Sequence, residues 1–237
     1  MFVANWKMKG SVRSLEKWLD VVSSSQKSKN CIFCPPLVYL MEASKIIQEN
    51  NLDLSLGSQD IDPDSALSLT GGISSSMLKE MRCKYVIIGH SERRIFYKES
   101  SELLLDKVST CLEKNIKVIF CVGESLVDKN SGKTKEKLTK QLNILSNLSL
   151  ENLIIAYEPV WAIGSGKTPT LEDISDISTY LTEELISLGQ KVEDITILYG
   201  GSVDDSNAKE IYQLKSVSGL LVGGASLDEK KFLKIIG

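Results

Sequence analysis

The chain alternates short, nearly uninterrupted apolar runs with longer segments in which apolar residues recur every three or four positions. An uninterrupted apolar run predicts a strand buried on both faces, and the longer spacing predicts an amphipathic helix packed on the sheet. The ends of these runs lie about 31 residues apart, the length of one strand–helix unit. The predicted strands are 2–6, 31–34, 54–57, 84–89, 117–121, 153–157, 196–199 and 219–222.

Eight strand–helix units that follow one another without a linker predict one domain over residues 1–237. The fold class is α/β, a closed (β/α)8 barrel of eight parallel strands ringed by helices. Two capping-box spacings predict helix starts, Thr170 with Asp173 and Ser226 with Glu229.

Composition excludes several classes of function. Lys and Arg number 28 against 31 Asp and Glu, so the formal charge of −3 argues against a nucleic-acid or anionic-membrane partner. The first residues hold neither a signal peptide nor a membrane span, and an odd number of cysteines, five, argues against a disulfide framework. Cys31 and Cys34 form a C-x-x-C inside a predicted strand, where this spacing sends the sulfurs to opposite faces. His90 is the one histidine, which excludes a histidine-rich metal site; we expect no metal and a cytoplasmic location.

Polar side chains stand where three of the apolar runs stop, at the carboxyl rim on which barrel enzymes carry their sites. Asn5 and Lys7 end the first run and should share a face by strand alternation. His90 ends the fourth run before a predicted helix, whose N-terminal partial charge favours neutral imidazole. Glu158 follows the sixth run on the face of Ala156, and its partial burial should raise its basicity. Each residue alone has a structural interpretation, but the four together favour a site.

Glycine-rich turns complete the rim. Glycine pairs at 200–201 and 223–224 follow the last two apolar runs, each predicted to lead into a helix, as in the phosphate cradles of barrel enzymes. The segment 159–169 has proline at both ends and two glycines at its tip, which is typical of a hinged lid. No P-loop pattern is present in this segment.

Six blocks carry a resemblance to a known family: ANWKMKG, IIGHSERR, CVGES, AYEPVWAIGSGKT, LYGGSV and GLLVGGASL. In their order and spacing from end to end, they resemble the triosephosphate isomerase family. The resemblance implies an aldose–ketose isomerase of glycolysis and gluconeogenesis that uses no cofactor. It would interconvert dihydroxyacetone phosphate and D-glyceraldehyde 3-phosphate through an enediolate.

The resemblance also implies roles for side chains at the rim. Glu158 would move the proton between the two substrate carbons, and neutral His90 would act as the electrophile. Lys7 would bind the substrate and balance negative charge, oriented by Asn5, with Glu92 in support beneath.

The resemblance also implies roles for three further groups of residues. The phosphate would be held by Gly164, Ser202, Gly223 and Gly224. The lid and its latch would comprise Trp161, Ser165, Gly166 and Tyr199. A homodimer is expected, with Thr70 and Gly71 in the loop that enters the partner.

The chain departs from the family pattern in three places. Gly72 stands where an acid usually pairs with Arg93 across the subunits. Ser165 replaces a threonine at the lid tip. Pro169 replaces an alanine, and a proline has no amide hydrogen to donate to a latch.

Two alternatives stay open at this stage. Another phosphate-binding barrel isomerase would use the same cradle on a different sugar phosphate, but it would lack the IIGHSERR and YEPVWAIG blocks. A non-catalytic barrel retained as a binding protein would be expected to have lost Lys7, His90 or Glu158.

Overall fold

The fold is a closed barrel of eight parallel strands, seen in a computed structural model that describes residues 1–66, 68–163 and 168–237. Neighbouring strands pair in chain order, and the last strand pairs with the first. The predicted (β/α)8 barrel is therefore confirmed. The strands are β1 Phe2–Asn5, β2 Cys31–Cys34, β3 Ser55–Ser58, β4 Tyr85–Ile88, β5 Lys117–Val122, β6 Leu153–Tyr157, β7 Ile197–Tyr199 and β8 Gly219–Val222.

Helices ring the barrel, and none within the described residues is long and apolar enough to cross a membrane. They are α1 Val12–Ser23, α2 Leu40–Glu49, α3 Ser75–Glu80, α4 Ser91–Phe96, α5 Ser101–Glu113, α6 Leu126–Asn130, α7 Thr134–Leu142, α8 Leu171–Ser187, α9 Ala208–Tyr212 and α10 Glu229–Ile236.

Two apolar layers hold the barrel together, one inside it and one between strands and helices. Ile154 and Leu221 belong to the inner layer, whereas Trp18 belongs to the outer one. Cys31 lies in the outer layer and Cys34 in the inner layer, so the predicted opposite orientation of the two sulfurs is confirmed. All five cysteines are free thiols.

One of the two predicted capping boxes is confirmed. Thr170 and Asp173 bond reciprocally at the start of α8. The prediction at Ser226 is wrong, because Asp228 lies next to the helix and caps α10 by accepting from the Lys230 and Lys231 amides. Ser226 instead bonds the carbonyl of Gly223 within a short 3-10 helix.

Candidate active site

The carboxyl rim brings His90 and Glu158 together from β4 and β6. His90 Nε2 lies 3.0 Å from Glu158 Oε1, and the Ser91 amide donates to Glu158 Oε2 at 3.2 Å. Glu158 continues the inward row of Ala156 as predicted, and it is fully rather than partly buried, at 2% exposed. The pair can therefore exchange a proton in a setting shielded from water.

A second hydrogen bond selects the tautomer of His90. Its Nδ1 accepts from the Glu92 amide at 3.2 Å, because His90 caps the first turn of α4. A nitrogen that accepts an N–H carries no proton of its own, so the proton of the neutral ring is on Nε2. His90 consequently presents an N–H donor toward the interior of the site.

The pKa of Glu158 differs from the expectation of raised basicity. Burial does raise it, but the His90 ring and the Ser91 amide favour the carboxylate more strongly, and the net pKa lies below the ordinary value. The sequence pattern indicates the burial of Glu158, but it does not indicate the two donors, because they lie after another strand. In this arrangement Glu158 is a weak base whose strength depends on keeping or losing those bonds.

The partner group shifts the other way. Burial lowers the pKa of His90, but the Glu158 carboxylate more than offsets burial and raises the pKa above its ordinary value. The Glu92 amide opposes protonation of Nδ1, but it does not decide the balance, so the expectation that the helix start keeps the ring neutral is corrected by the carboxylate of Glu158. Glu158 and the helix start therefore act on His90 in opposite directions.

The pairing predicts how His90 titrates when Glu158 is changed. In Glu158→Gln the carboxylate is gone while burial stays, so the pKa of His90 should fall below its wild-type value. Because the chain has one histidine, its imidazole NMR signals need no assignment by mutation. A pKa that stays unchanged or rises in this variant would contradict the pairing.

Lys7 reaches the site by a route that strand alternation did not predict. β1 ends at Asn5, and Lys7 takes a left-handed backbone conformation with φ of 51°. Its amide bonds the Asn5 side chain at 3.1 Å, and its ammonium lies 2.6 Å from Glu92 Oε1. Glu92 thus lies between Lys7 and His90, whose Nδ1 is 3.7 Å from Glu92 Oε2.

Gln59, which the sequence analysis did not single out, holds the strained Lys7 turn. Its side-chain amide donates to the carbonyls of Lys7 and Cys34, each at 2.9 Å. A non-glycine residue at positive φ needs such support from its surroundings. The position of Gln59 just beyond β3 is the signal that could have identified it.

The glycine turn after β8 lies beside Lys7. Gly223 starts a 3-10 helix over Gly224–Leu227, and a Cβ built on Gly223 would stand 3.4 Å from Lys7 Cε. Amides at such a helix start face an anion favourably. Ser202, half-buried after β7, does not start a helix, which corrects the expectation for that turn.

The amino-terminal end of the predicted lid is held by a residue that we did not predict. The Trp161 indole donates to buried Glu124 Oε1 at 2.7 Å, and the Tyr157 hydroxyl donates to the same oxygen at 3.2 Å. Lys129 Nζ lies 3.7 Å from the centre of the Trp161 ring. The predicted site residues Gly164, Ser165 and Gly166 lie outside the described residues.

Gly123 places the backbone of Glu158. A Cβ on Gly123 would stand 1.8 Å from the Glu158 carbonyl oxygen, so only glycine fits there. The Gln141 side chain bonds both the amide and the carbonyl of Gly123, at 2.9 and 3.1 Å. Gly123 and Glu124 follow the fifth apolar run, and this rim position could have identified both.

Cys121, beside Glu158 on β5, is a packing residue. It is buried, and burial together with the Glu158 carboxylate raises the pKa of its thiol well above the ordinary value. A thiol held neutral is a poor nucleophile.

The loop after β3 carries Thr70 and Gly71 at an exposed turn, with Gly71 at φ of 82°. Asp62 ties this loop at its base, since its amide and carboxylate both bond Ile73. Arg93, whose usual partner is absent at Gly72, is paired within the chain. Its guanidinium bonds Asp60 Oδ2 at 2.6 Å and Glu99 Oε1 at 2.8 Å.

A closed eight-stranded barrel with a buried histidine–glutamate pair at its carboxyl rim defines the chain as a (β/α)8-barrel protein, the class whose enzymes carry their sites at this rim. The family model described as triosephosphate isomerase matches residues 1–237. The chain belongs to the triosephosphate isomerase family.

Curated relatives agree over nearly the full length. The chain is 38% identical to a triosephosphate isomerase of Polynucleobacter asymbioticus, over 98% of this chain and 96% of the relative. It is 39% identical to one of Aquifex aeolicus, over 100% and 98% of the two chains. One of Hahella chejuensis is 38% identical over 100% of this chain and 96% of its own length.

Proposed function

We propose that the chain is a triosephosphate isomerase that interconverts dihydroxyacetone phosphate and D-glyceraldehyde 3-phosphate, with Glu158, His90 and Lys7 as its catalytic groups. The Glu158 carboxylate takes a proton from the substrate carbon beside the carbonyl. The electrons of that C–H bond form the enediolate, and the same carboxylate returns the proton to the neighbouring carbon. His90 Nε2–H donates to the oxygen on which negative charge develops, and Lys7 stabilises that charge. His90 also moves the hydroxyl proton from the oxygen that becomes the new carbonyl to the former carbonyl oxygen, so that neither oxygen keeps a charge in the product.

Substrate binding would strengthen the base. A carbonyl oxygen that takes the Nε2–H of His90 removes one of the two donors that lower the pKa of Glu158. Moving the carboxylate toward the substrate carbon removes the Ser91 amide as well. Burial then dominates and raises the basicity of Glu158 when the proton must be taken.

The observation that carries this proposal is the buried contact of His90 Nε2 with Glu158 at the barrel rim. A non-catalytic barrel has no need of a buried carboxylate facing a histidine N–H. The test is a coupled assay with glyceraldehyde 3-phosphate, run beside ribose 5-phosphate as an alternative sugar phosphate. Turnover of the triose alone is expected, and turnover of neither would exclude the proposed reaction.

The phosphate is assigned to the amides of Gly223 and Gly224 and to Ser202, with Gly164 contributing from outside the described residues. The 3-10 helix start after β8 and the neighbouring Lys7 side chain support this assignment. The five reduced thiols support a cytoplasmic location.

The active form is a homodimer in this proposal, with Thr70 and Gly71 entering the partner near Asn5 and Lys7. Large apolar side chains are exposed in the segments that follow β1, β2 and β4, and β2 and β4 are the neighbours of β3, which precedes the Thr70 loop. Met8 is 91% exposed, Val38 79% and Phe96 75%. Exposed apolar side chains of this size beside a loop expected to enter a partner are consistent with an interface.

Phe96→Asp should therefore shift the protein from dimer to monomer at concentrations where the parent is dimeric, because a charge would be desolvated in the interface. Sedimentation velocity over a dilution series measures the shift. Val192→Asp is the matched control, because Val192 is 64% exposed in the turn before β7, at the opposite end of the barrel. A parent that is monomeric and fully active would contradict the dimer.

By the same resemblance, two hydrogen bonds would hold the closed lid: the Tyr199 hydroxyl would accept from the backbone amide at position 169, and Ser202 would accept from an amide near Gly166. This latch should depend on Ser202 more than on Tyr199. Pro169 cannot donate an amide hydrogen, and the buried Tyr199 hydroxyl has no hydrogen-bond partner within the described residues. Tyr199→Phe should change kcat/KM less than about twofold, whereas Ser202→Ala loses a hydrogen bond worth roughly 0.5–1.5 kcal/mol. Pro169→Ala should restore dependence on Tyr199, as a double-mutant cycle would measure. Equal sensitivity to Tyr199→Phe in both backgrounds would refute the single latch.

A further inference from the structure

Arg94, in the last turn of α4, bends back toward the strand end that precedes its own helix. Its Nε donates to the carbonyl of Gly89 at 2.7 Å, and its Nη2 donates to the carbonyl of Cys121 at 2.9 Å. Gly89 directly follows β4, and Cys121 lies near the end of β5, the neighbouring strand. One guanidinium thus links the carboxyl ends of two adjacent strands.

The guanidinium occupies a space that fits it closely. Gly89 takes a φ of 71°, and a Cβ at this position would stand 2.7 Å from Arg94 Nη2. On another side, the guanidinium carbon lies 5.4 Å from the centre of the buried Phe120 ring. A side chain at position 89 would therefore displace the Arg94 guanidinium from this space.

The two linked carbonyls lie next to the groups that hold Glu158. Gly89 directly precedes His90 and Ser91, whose ring and amide contact the two Glu158 oxygens. Cys121 is in register with Ala156, two residues before Glu158 on β6. A shift of either strand end would change the distance between His90 and the carboxylate.

We propose that Arg94 is a positioning residue for the proton transfer, fixing the separation of His90 and Glu158 through the carbonyls of Gly89 and Cys121. Arg94 acts through the backbone and does not touch the substrate. The inference rests on the roles proposed above for Glu158 and His90. Lysine cannot substitute, because a single ammonium on a flexible stem lacks the planar fork that spans both carbonyls.

Arg94→Lys tests the proposal with the charge retained, and Arg13→Lys on the exposed face of α1 is the matched control. We expect kcat to fall about 10- to 100-fold in Arg94→Lys, with little change in KM, as for a small misplacement of catalytic groups. The NMR signals and pKa of the single histidine should move in Arg94→Lys and stay unchanged in Arg13→Lys. Arg94→Gln, whose side-chain amide has a single donor nitrogen, replaces the lysine variant if that variant does not fold.

A double variant separates positioning from general weakening of the barrel. If Arg94 acts by placing Glu158, Arg94→Lys should cost less in kcat when Glu158 is already shortened to Asp. Wild-type kcat and histidine signals in Arg94→Lys would overturn the proposal, whatever its melting temperature, and so would full additivity with Glu158→Asp. The histidine signals do not require turnover, so this result is independent of whether the proposed reaction is correct.

Discussion

Glu158→Asp should lower kcat by about 100-fold or more, with a much smaller change in KM. The substitution keeps the carboxylate but withdraws it by one methylene, and a misplacement of about 1 Å can cost that much. Binding should be affected less, because the phosphate is assigned to Gly223 and Gly224 on another strand end. The backbone of Glu158 is fixed by the hydrogen bond that its N–H donates to the Val122 carbonyl at 2.8 Å, so the shorter side chain cannot recover the distance by a shift of the strand.

Steady-state kinetics in both reaction directions measure this effect. Glu172→Asp, the same change at an exposed position in the first turn of α8, is the matched control and should leave kcat unchanged. A kcat within a few-fold of the parent would mean that Glu158 does not carry the proton. Proton transfer would then have to be assigned to another group at the rim.

Gly123→Ala should lower both stability and turnover. The new Cβ would stand 1.8 Å from the Glu158 carbonyl oxygen and 2.7 Å from its carbonyl carbon, and neither backbone atom can move aside cheaply. Overpacking of this kind costs about 1–3 kcal/mol of unfolding free energy. The ends of β5 and β6 must separate, which displaces Glu158 and should reduce kcat about 100-fold.

Gly132→Ala is the matched control for this change. Gly132 has a φ of 68° and would gain a Cβ with nothing within 4 Å, so it carries backbone strain without a steric clash. It should lose about 1 kcal/mol of stability and keep its turnover. Urea denaturation and steady-state kinetics on both variants give the comparison. Retained turnover in Gly123→Ala would show that the strand ends adapt without moving Glu158.

The strand–helix repeat could be predicted from the sequence because the residues of each element carry its own hydrophobic pattern. A parallel strand covered on both faces needs a continuous apolar run, and this requirement marked all eight strands to within two residues. The side-chain period of two also placed Glu158 on the inward face and sent the Cys31 and Cys34 sulfurs to opposite layers. His90 and Lys7 were then predicted as site residues because they follow the carboxyl ends of strands, where barrel enzymes carry their sites.

Predictions from spacing along one segment were wrong where a contact with another part of the chain decides the local backbone. The backbone turn of Lys7 depends on Gln59 from the loop after β3, and alternation along β1 could not reveal it. Asp228, and not Ser226, caps the start of α10, because Ser226 is part of the 3-10 helix that forms after β8.

The chain sequence by itself determined the barrel, its register of inward and outward faces, and which residues stand at the rim, since these follow from periodicity and chain order. Only the tertiary structure decided the direction in which the pKa of Glu158 is shifted. Burial alone raises the pKa of Glu158, and the donors that reverse this, from His90 and Ser91, come from another strand end. The close approach of Gly123 to Glu158 was likewise hidden, because a contact between neighbouring strands is set by their packing and leaves no period in the sequence.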